Sequence, residues 1–244
     1  MVHEAFLNPA DELVFSYVPR SGTMSNILKF AEQYGYKVVV KPLKGTGGIC
    51  VFKACSPKEV EAAVYKVWSR DYGVAVSPLL DIVAEIRVIV YNQHHRLVYR
   101  KNRIAVTGDG QQAVKDLLVE AMRTSSDGMA KNYAQALANL TLKDLADVPV
   151  VNQRVPIEWR HNLGLGASPE IIDHEAAAAI AVSAAKVLGM KFCSVDVIQV
   201  ADDSLQVLEV NAGVMMDSFL SSSEENRKIA KKIYTDVILD GLNS

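Results

Sequence analysis

Only three cysteines occur among the 244 residues, Cys50, Cys55 and Cys193. Each lies in or beside an apolar run, so neither a disulfide framework nor a zinc pattern is available, and buried free thiols are expected. The five histidines include no H-E-x-x-H arrangement, which leaves a zinc hydrolase without support. An excess of one charge is also missing: 26 Lys and Arg stand against 28 Asp and Glu, for a net charge of -2. That balance argues against a general polyanion binder, so no nucleic-acid partner is expected, while a local basic pocket for a nucleotide stays open. No apolar run is long enough to span a bilayer, and Met1 to Pro9 carries His3 and Glu4 in place of a basic, then apolar, leader. A cytoplasmic protein without a membrane partner is therefore expected. Internal repeats and low-complexity tracts are absent as well.

What the chain does contain suits a packed enzyme. Half of its residues are apolar, and its length suggests one large domain or two small ones. Thr23 or Ser25 is expected to start a helix through Ile27, Leu28, Phe30, Ala31 and Tyr34, ended by Gly35. The β-branched run Lys37–Lys41 reads as a buried strand, the loop 42–48 follows, and Ile49–Phe52 reads as a second strand. Ser56-Pro57-Lys58-Glu59 has the form of a capping box opening a helix through Val60, Ala63, Val64 and Val67. Val74–Leu80 is a strand broken by Pro78, and Glu85–Tyr91 with Arg96–Asn102 is a hairpin. Thr107-Gly108-Asp109-Gly110 is a turn, and the region from Gln111 to about Val148 is helical with a break at Ser125–Gly128. Asp173 is expected to cap the alanine-rich helix that Gly189 stops, and Glu224–Leu239 is expected to form a closing helix.

The most informative stretch is 207–216, VLEVNAGVMM, read with Ser194-Val195-Asp196-Val197-Ile198. Both segments have strand character, and Ala201-Asp202-Asp203-Ser204 between them is a turn signal, so a hairpin is expected. Folding it sets Asp196 opposite Glu209. Asn211 then shares the face of Glu209, while Leu208 and Val210 turn toward Val195 and Val197. Opposed carboxylates destabilise a sheet unless something neutralises them, and a hard cation with oxygen ligands, magnesium foremost, would do so. The alternative is a solvated hairpin edge with incidental acids.

Two loops add to this. In 42–48, PLKGTGG, Lys41 and Lys44 precede the glycines and a strand follows, which is the wrong order for a P-loop. It is either a flexible flap whose N–H groups and lysines meet phosphates or an ordinary glycine-rich hairpin turn. In 158–167, EWRHNLGLGA, a cation, an imidazole and an amide crowd beside glycines. That loop either holds an anionic intermediate or is a connection with solvated Arg160 and His161.

Taken in order along the chain, these motifs resemble the ATP-grasp superfamily. Val38-Val39-Val40-Lys41-Pro42 with Gly45-Thr46-Gly47-Gly48 is similar to its lysine strand and phosphate flap, and Glu85-Ile86-Arg87-Val88 to its E-x-R-V strand. The G-D-G turn, H-N-L-x-x-G-A loop, S-V-D-V and E-x-N-x-G-V-M-M resemble cyanophycin synthetase-like and ribosomal-protein-tail glutamate ligases. The resemblance covers about Val18 to Leu239. It implies an α+β, ATP-grasp fold of two α+β lobes with the nucleotide between them: an N-terminal segment at 1–17, a small lobe at 18–75, and a large lobe at 76–244 with a helical insertion at about 111–148. It implies ATP and Mg2+ as cofactors. Lys41 would contact the α-phosphate side, and Lys44, Gly45, Thr46, Gly47 and Gly48 would form the flap over the outer phosphates. Ser77, Pro78 and Leu79 would give backbone hydrogen bonds to adenine, with Glu85 or Asp81 near the ribose. Asp196, Glu209 and Asn211 would hold magnesium.

The chemistry so implied is phosphorylation of a carboxylate to an acylphosphate, followed by displacement of phosphate by an amine on an amino acid or peptide substrate. Arg87, Arg100, Lys101, Arg160 and Asn162 are the candidates for holding the carboxylate and the transferring phosphate, or else are structural. A small-molecule kinase on the same fold and a non-catalytic nucleotide-binding subunit are the alternatives. The family commonly carries a preceding domain that helps bind the acceptor, whereas Met1 to Tyr17 are too few for a core of their own. A homodimer, or a substrate-carrying partner protein, is therefore expected to complete the cleft.

Overall fold

Paired strands and the helices that cover them form two units in the computed structural model, which describes residues 12–15, 22–44, 47–70 and 73–243. The first unit runs to Val83 and takes in Ile198–Leu208; the second comprises Ala84–Val197 and Glu209–Ser244.

In the first unit the elements are β1 (Leu13–Phe15), α1 (Thr23–Gln33), β2 (Val38–Pro42), β3 (Phe52–Ala54), α2 (Pro57–Trp68) and β4 (Val74–Pro78). The four strands form an antiparallel sheet in the order β1-β4-β2-β3. On β2, Val38 and Val40 are fully buried while Lys41 stands partly exposed, the alternation a half-covered strand requires. Val60, Ala63, Val64 and Val67 give α2 an apolar stripe that packs with Ile27 and Ala31 of α1 against those valines. Ser56 caps α2 by accepting from Glu59 N at 3.3 Å, but the Glu59 carboxylate reaches back to Cys55 N, one residue before the expected partner. The structure shifts the second strand. Gly47, Gly48 and Cys50 take positive φ in a turn, so pairing with β2 begins only at Phe52. β4 also joins this unit, because it pairs with β2 from Val38↔Pro78 to Pro42↔Val74.

Next come β5 (Ile82–Tyr91), β6 (His94–Asn102), β7 (Ala105–Thr107), α3 (Val114–Thr124), α4 (Asp127–Leu137), α5 (Leu142–Ala146), β8 (Arg154–Pro156), β9 (Ser168–Ile171), α6 (Glu175–Val187), β10 (Phe192–Val200), β11 (Leu205–Asn211), α7 (Asp217–Leu220) and α8 (Glu224–Leu242). Five strands order as β11-β10-β5-β6-β9, and β7 pairs with β8 in a separate ribbon. The β5–β6 hairpin is tighter than its sequence suggests: Asn92 and Gln93 both take positive φ, so two residues make the turn that four were expected to make. Ile89, Leu97 and Tyr99 pack with Met216, Phe219, Ala230 and Ile233, and the Tyr99 ring stacks on Phe219 at 4.9 Å. α3 and α4 gather Val114, Leu118 and Ala136 around Ile104, Val106 and Ile157. His174, not Asp173, caps α6, its Nδ1 accepting from Ala177 N at 3.2 Å. α4 starts at Asp127, inside the expected break.

Of the three free cysteines only Cys193 is buried, whereas Cys55 is exposed, which corrects the expectation that all are hidden. Among the described residues no helix is long and apolar enough to cross a membrane.

Candidate active site

Alternation along β5 puts Glu85 and Arg87 on one face, with the fully buried Ile86 and Val88 on the other. Arg87 stands opposite Tyr99 of β6, so Lys101 shares their face. From β10, Asp196 enters the same group. Arg87 grips it with two parallel bonds, Nε to Oδ1 at 2.7 Å and Nη2 to Oδ2 at 2.6 Å. Lys101 Nζ lies 2.9 Å from Asp196 Oδ2 and 2.5 Å from Glu85 Oε1. Glu209 of β11 completes the group, with Oε1 3.9 Å from the same Arg87 Nη2 and 2.9 Å from Asn211 Nδ2, which donates to it.

The electrostatics follow from burial and from these pairings. Asp196 is 1% exposed and Lys101 is 4% exposed. Burial pushes the Asp196 carboxyl up, but the Lys101 ammonium and the Arg87 guanidinium outweigh it and hold the group well below the usual carboxylate range. Burial pushes Glu85 up to about 7, with Lys101 opposing and the Asp196 charge adding. Desolvation and the Asp196 charge likewise raise Glu209. Desolvation lowers Lys101 less than its two carboxylates raise it. Three carboxylates thus face two cations, and the least buried, Glu209, has half of its side chain in solvent.

Opposed carboxylates on β10 and β11 were expected to need a neutraliser. The structure supplies two from its own strands, Arg87 and Lys101. Among the described residues no group of three or more His, Cys, Asp or Glu could hold a metal ion. The set Asp196, Glu209 and Asn211 offers two carboxylates and one amide; Asn211 gives its N–H to Glu209, and its oxygen is the atom that could meet a cation.

The 158–167 loop is braced from within. Glu158, 6% exposed, accepts from Arg160 N at 3.1 Å, Nε at 2.9 Å and Nη2 at 3.0 Å. The Arg160 guanidinium also lies over the Trp159 ring at 5.6 Å. His161 is buried, with Nδ1 2.8 Å from the Lys101 carbonyl oxygen. Asn162 accepts from Gly164 N at 2.8 Å and so caps the short 3-10 turn Leu163–Leu165. Gly166, at φ 92°, lets the chain leave that turn where a Cβ would meet Ile104 Cδ1 at 2.8 Å.

The structure therefore brings Arg87, Lys101, Glu85, Asp196, Glu209 and Asn211 together, and ties the Arg160 loop to Lys101 through His161. Arg100 does not join them. It pairs with Ile86 on the opposite face of β6, since neighbouring strand residues point to opposite sides. Asn162 spends its side chain on the turn. In the first unit Lys41 Nζ lies 2.6 Å from Glu12 Oε1, Lys44 is exposed, and Gly47 and Gly48 lie in the turn before β3; Gly45 and Thr46 lie outside the described residues. Ser77 and Pro78 end β4, and the Leu79 N–H is committed to Lys37 O at 2.9 Å, so the donor expected for adenine there is already used within the sheet. Glu158 has no role in the sequence reading, although the E-x-R spacing shared by Glu85–Arg87 and Glu158–Arg160 was an available signal; His161, the imidazole of that loop, is buried and not solvated.

Residues 146–237 match the family model of the RimK-like ATP-grasp domain, a span holding both the 158–167 loop and the β10–β11 hairpin. Among solved structures, D-alanine–D-alanine ligase from Bacillus anthracis superposes with a TM-score of 0.56 at 14% identity, covering 93% of this chain and 60% of that one. The chain has the ATP-grasp fold. Other solved structures are similar to it: ATP-grasp ligase PsnB in complex with a minimal precursor, Mg and ADP (TM-score 0.53, 16% identity, 91% of this chain and 50% of that one) and D-cycloserine synthetase DcsG (TM-score 0.53, 15% identity, 95% and 66%). The chain thus spans about half the length of PsnB. No curated protein sequence matches it.

Proposed function

We propose that this ATP-grasp chain is an ATP-dependent ligase that joins a carboxylate to an amine, on an amino acid or peptide, through an acylphosphate. The observation that carries the reading is the buried Asp196, clamped by Arg87 and Lys101, beside the half-exposed Glu209 and Asn211. Two carboxylates and an amide oxygen are donors of the kind a hard cation takes, and Glu209, 3.9 Å from Arg87, is the carboxylate its neighbours pair least closely. Bound there with nucleotide, magnesium would offset charge on the phosphate oxygens during transfer.

The chain's own residues supply positioning. Arg87 and Lys101 fix Asp196, so Glu209 and Asn211 are the members of the group with freedom to adjust. Arg160, preset by Glu158 and Trp159, is proposed to hold the anionic intermediate. Lys41, Lys44 and the glycine turn are proposed as phosphate ligands contributed by the first unit, and Ser77–Leu79 as adenine contacts through the groups the sheet leaves unused. The substrate carboxylate oxygen attacks the γ-phosphorus and ADP leaves; the amine nitrogen then attacks the acyl carbon, phosphate leaves, and the amine loses a proton. We further propose a homodimer or a substrate-carrying protein as partner.

Incubation with ATP, Mg2+ and pooled amino acids, read by mass spectrometry, tests this. ADP, phosphate and a product lighter than its two precursors by one water are expected. A stable phosphorylated product without an amide would make the chain a kinase, and nucleotide binding without turnover would make it a regulatory subunit.

A further inference from the structure

We propose that His161 is a positioning residue for the Asp196–Glu209 pair and acts through Lys101; the inference rests on reading that pair as the metal-nucleotide site. His161 is 6% exposed, and its Nδ1 lies 2.8 Å from the Lys101 carbonyl oxygen. A carbonyl oxygen only accepts, so Nδ1 carries the proton. The contact falls where the ladder runs out of partners. Val98 O accepts from Ile172 N on the β9 side, so by alternation the Lys101 carbonyl faces the β5 side, where the register ends at Ile86↔Arg100, one residue short of Lys101. An imidazole N–H thus secures the β6 carbonyl at the point where pairing with β5 stops.

What that backbone carries gives the contact its consequence. The Lys101 ammonium bridges Glu85 at 2.5 Å and Asp196 at 2.9 Å, so the imidazole fixes the residue whose charge fixes Asp196. Arg87 already lies 2.6 Å from Asp196 and 3.9 Å from Glu209. If Lys101 withdraws from Asp196, the guanidinium is drawn further between the two carboxylates and competes with a cation there. His161 also follows Arg160, which Glu158 fixes, so the same bond holds that loop to β6.

Asparagine places its amide N–H near the Nδ1 position and glutamine near the Nε2 position, so His161→Asn and His161→Gln separate the hydrogen bond from mere filling of space. The non-hydrolysable analogue AMPPNP is titrated by calorimetry with and without Mg2+ into wild type and both variants, and their thermal unfolding is followed in parallel. Wild type is expected to bind AMPPNP more tightly with Mg2+. His161→Gln should lose about tenfold of that tightening, as when a group holding a metal ligand in place is removed, and His161→Asn should restore it. No tightening in wild type would overturn the metal-nucleotide reading and this inference with it. Tightening in wild type that both variants keep, or both lose in step with their unfolding temperatures, would overturn the role of His161 alone. If neither variant folds, nitrogen NMR of wild type decides, and a proton on Nε2 with Nδ1 bare would overturn it.

Discussion

Arg87 and Asp196, 109 positions apart, meet in a two-pronged ion pair with bonds of 2.7 and 2.6 Å. Asp196 is almost fully buried, so its desolvation is offset only while its cations stay in place. Replacing Arg87 by Met should therefore cost about 3 kcal/mol of stability, the scale for leaving one half of a buried pair uncompensated. Arg87→Lys should recover only part, because an ammonium cannot make two parallel bonds. Urea unfolding measures both, and a loss below about 0.5 kcal/mol in Arg87→Met would show that Lys101 alone suffices.

The same cluster sets a pH dependence whose sign is fixed. Glu85 is pushed up to about 7 from an ordinary 4.5, so between those values the folded state binds a proton that the unfolded chain releases. Its contribution is greatest below the unfolded value and is lost as pH rises through the folded one. Asp196 runs the other way: held low, it contributes above its ordinary value and loses that contribution as pH falls. Relative to wild type, Glu85→Gln should gain stability between about pH 5 and about pH 8. A difference that stays constant across that range would mean Glu85 is charged throughout.

Much of this was legible in the sequence, and the rest was hidden for identifiable reasons. The shared face of Asp196, Glu209 and Asn211 followed from strand alternation and one turn, both local. The cap of α2 at Ser56 followed from four adjacent residues. The partners of Asp196 did not, because Arg87 and Lys101 sit on other strands and only sheet order brings them in. β9 escaped notice because Ser168-Pro169-Glu170-Ile171 lacks strand composition and becomes a strand by pairing with β6. Arg100 adjoins Lys101, and on a strand adjacent residues point to opposite faces, so only Lys101 reaches Asp196.

The G-D-G turn is bonded to the neighbouring loop 149–153. Gly108 N donates to Gln153 O at 2.8 Å, Asn152 N donates to Gly108 O at 2.9 Å, and a Cβ at Gly108 would stand 2.4 Å from Val150 O. Gly108→Ala should cost about 2 kcal/mol by forcing the two loops apart. Urea unfolding within about 0.5 kcal/mol of wild type would show that the loops yield freely.

The turn before β3 should respond to nucleotide. Gly47 and Gly48 both adopt positive φ, and Lys44 is exposed beside them. Amide exchange in the peptide 43–52 is expected to slow when AMPPNP and Mg2+ are added. Equal exchange in both states would leave an ordinary hairpin turn.

An acylphosphate route makes one prediction that neither a kinase nor a simple ATPase shares. With amino acids labelled with 18O in their carboxyl groups, one label should pass to the inorganic phosphate as the amine displaces it. Mass spectrometry of the phosphate released with ATP and Mg2+ should therefore find a single 18O per turnover, and none with Glu209→Gln, whose turnover should cease. ADP accompanied by unlabelled phosphate alone would contradict the acylphosphate and the ligase reading together.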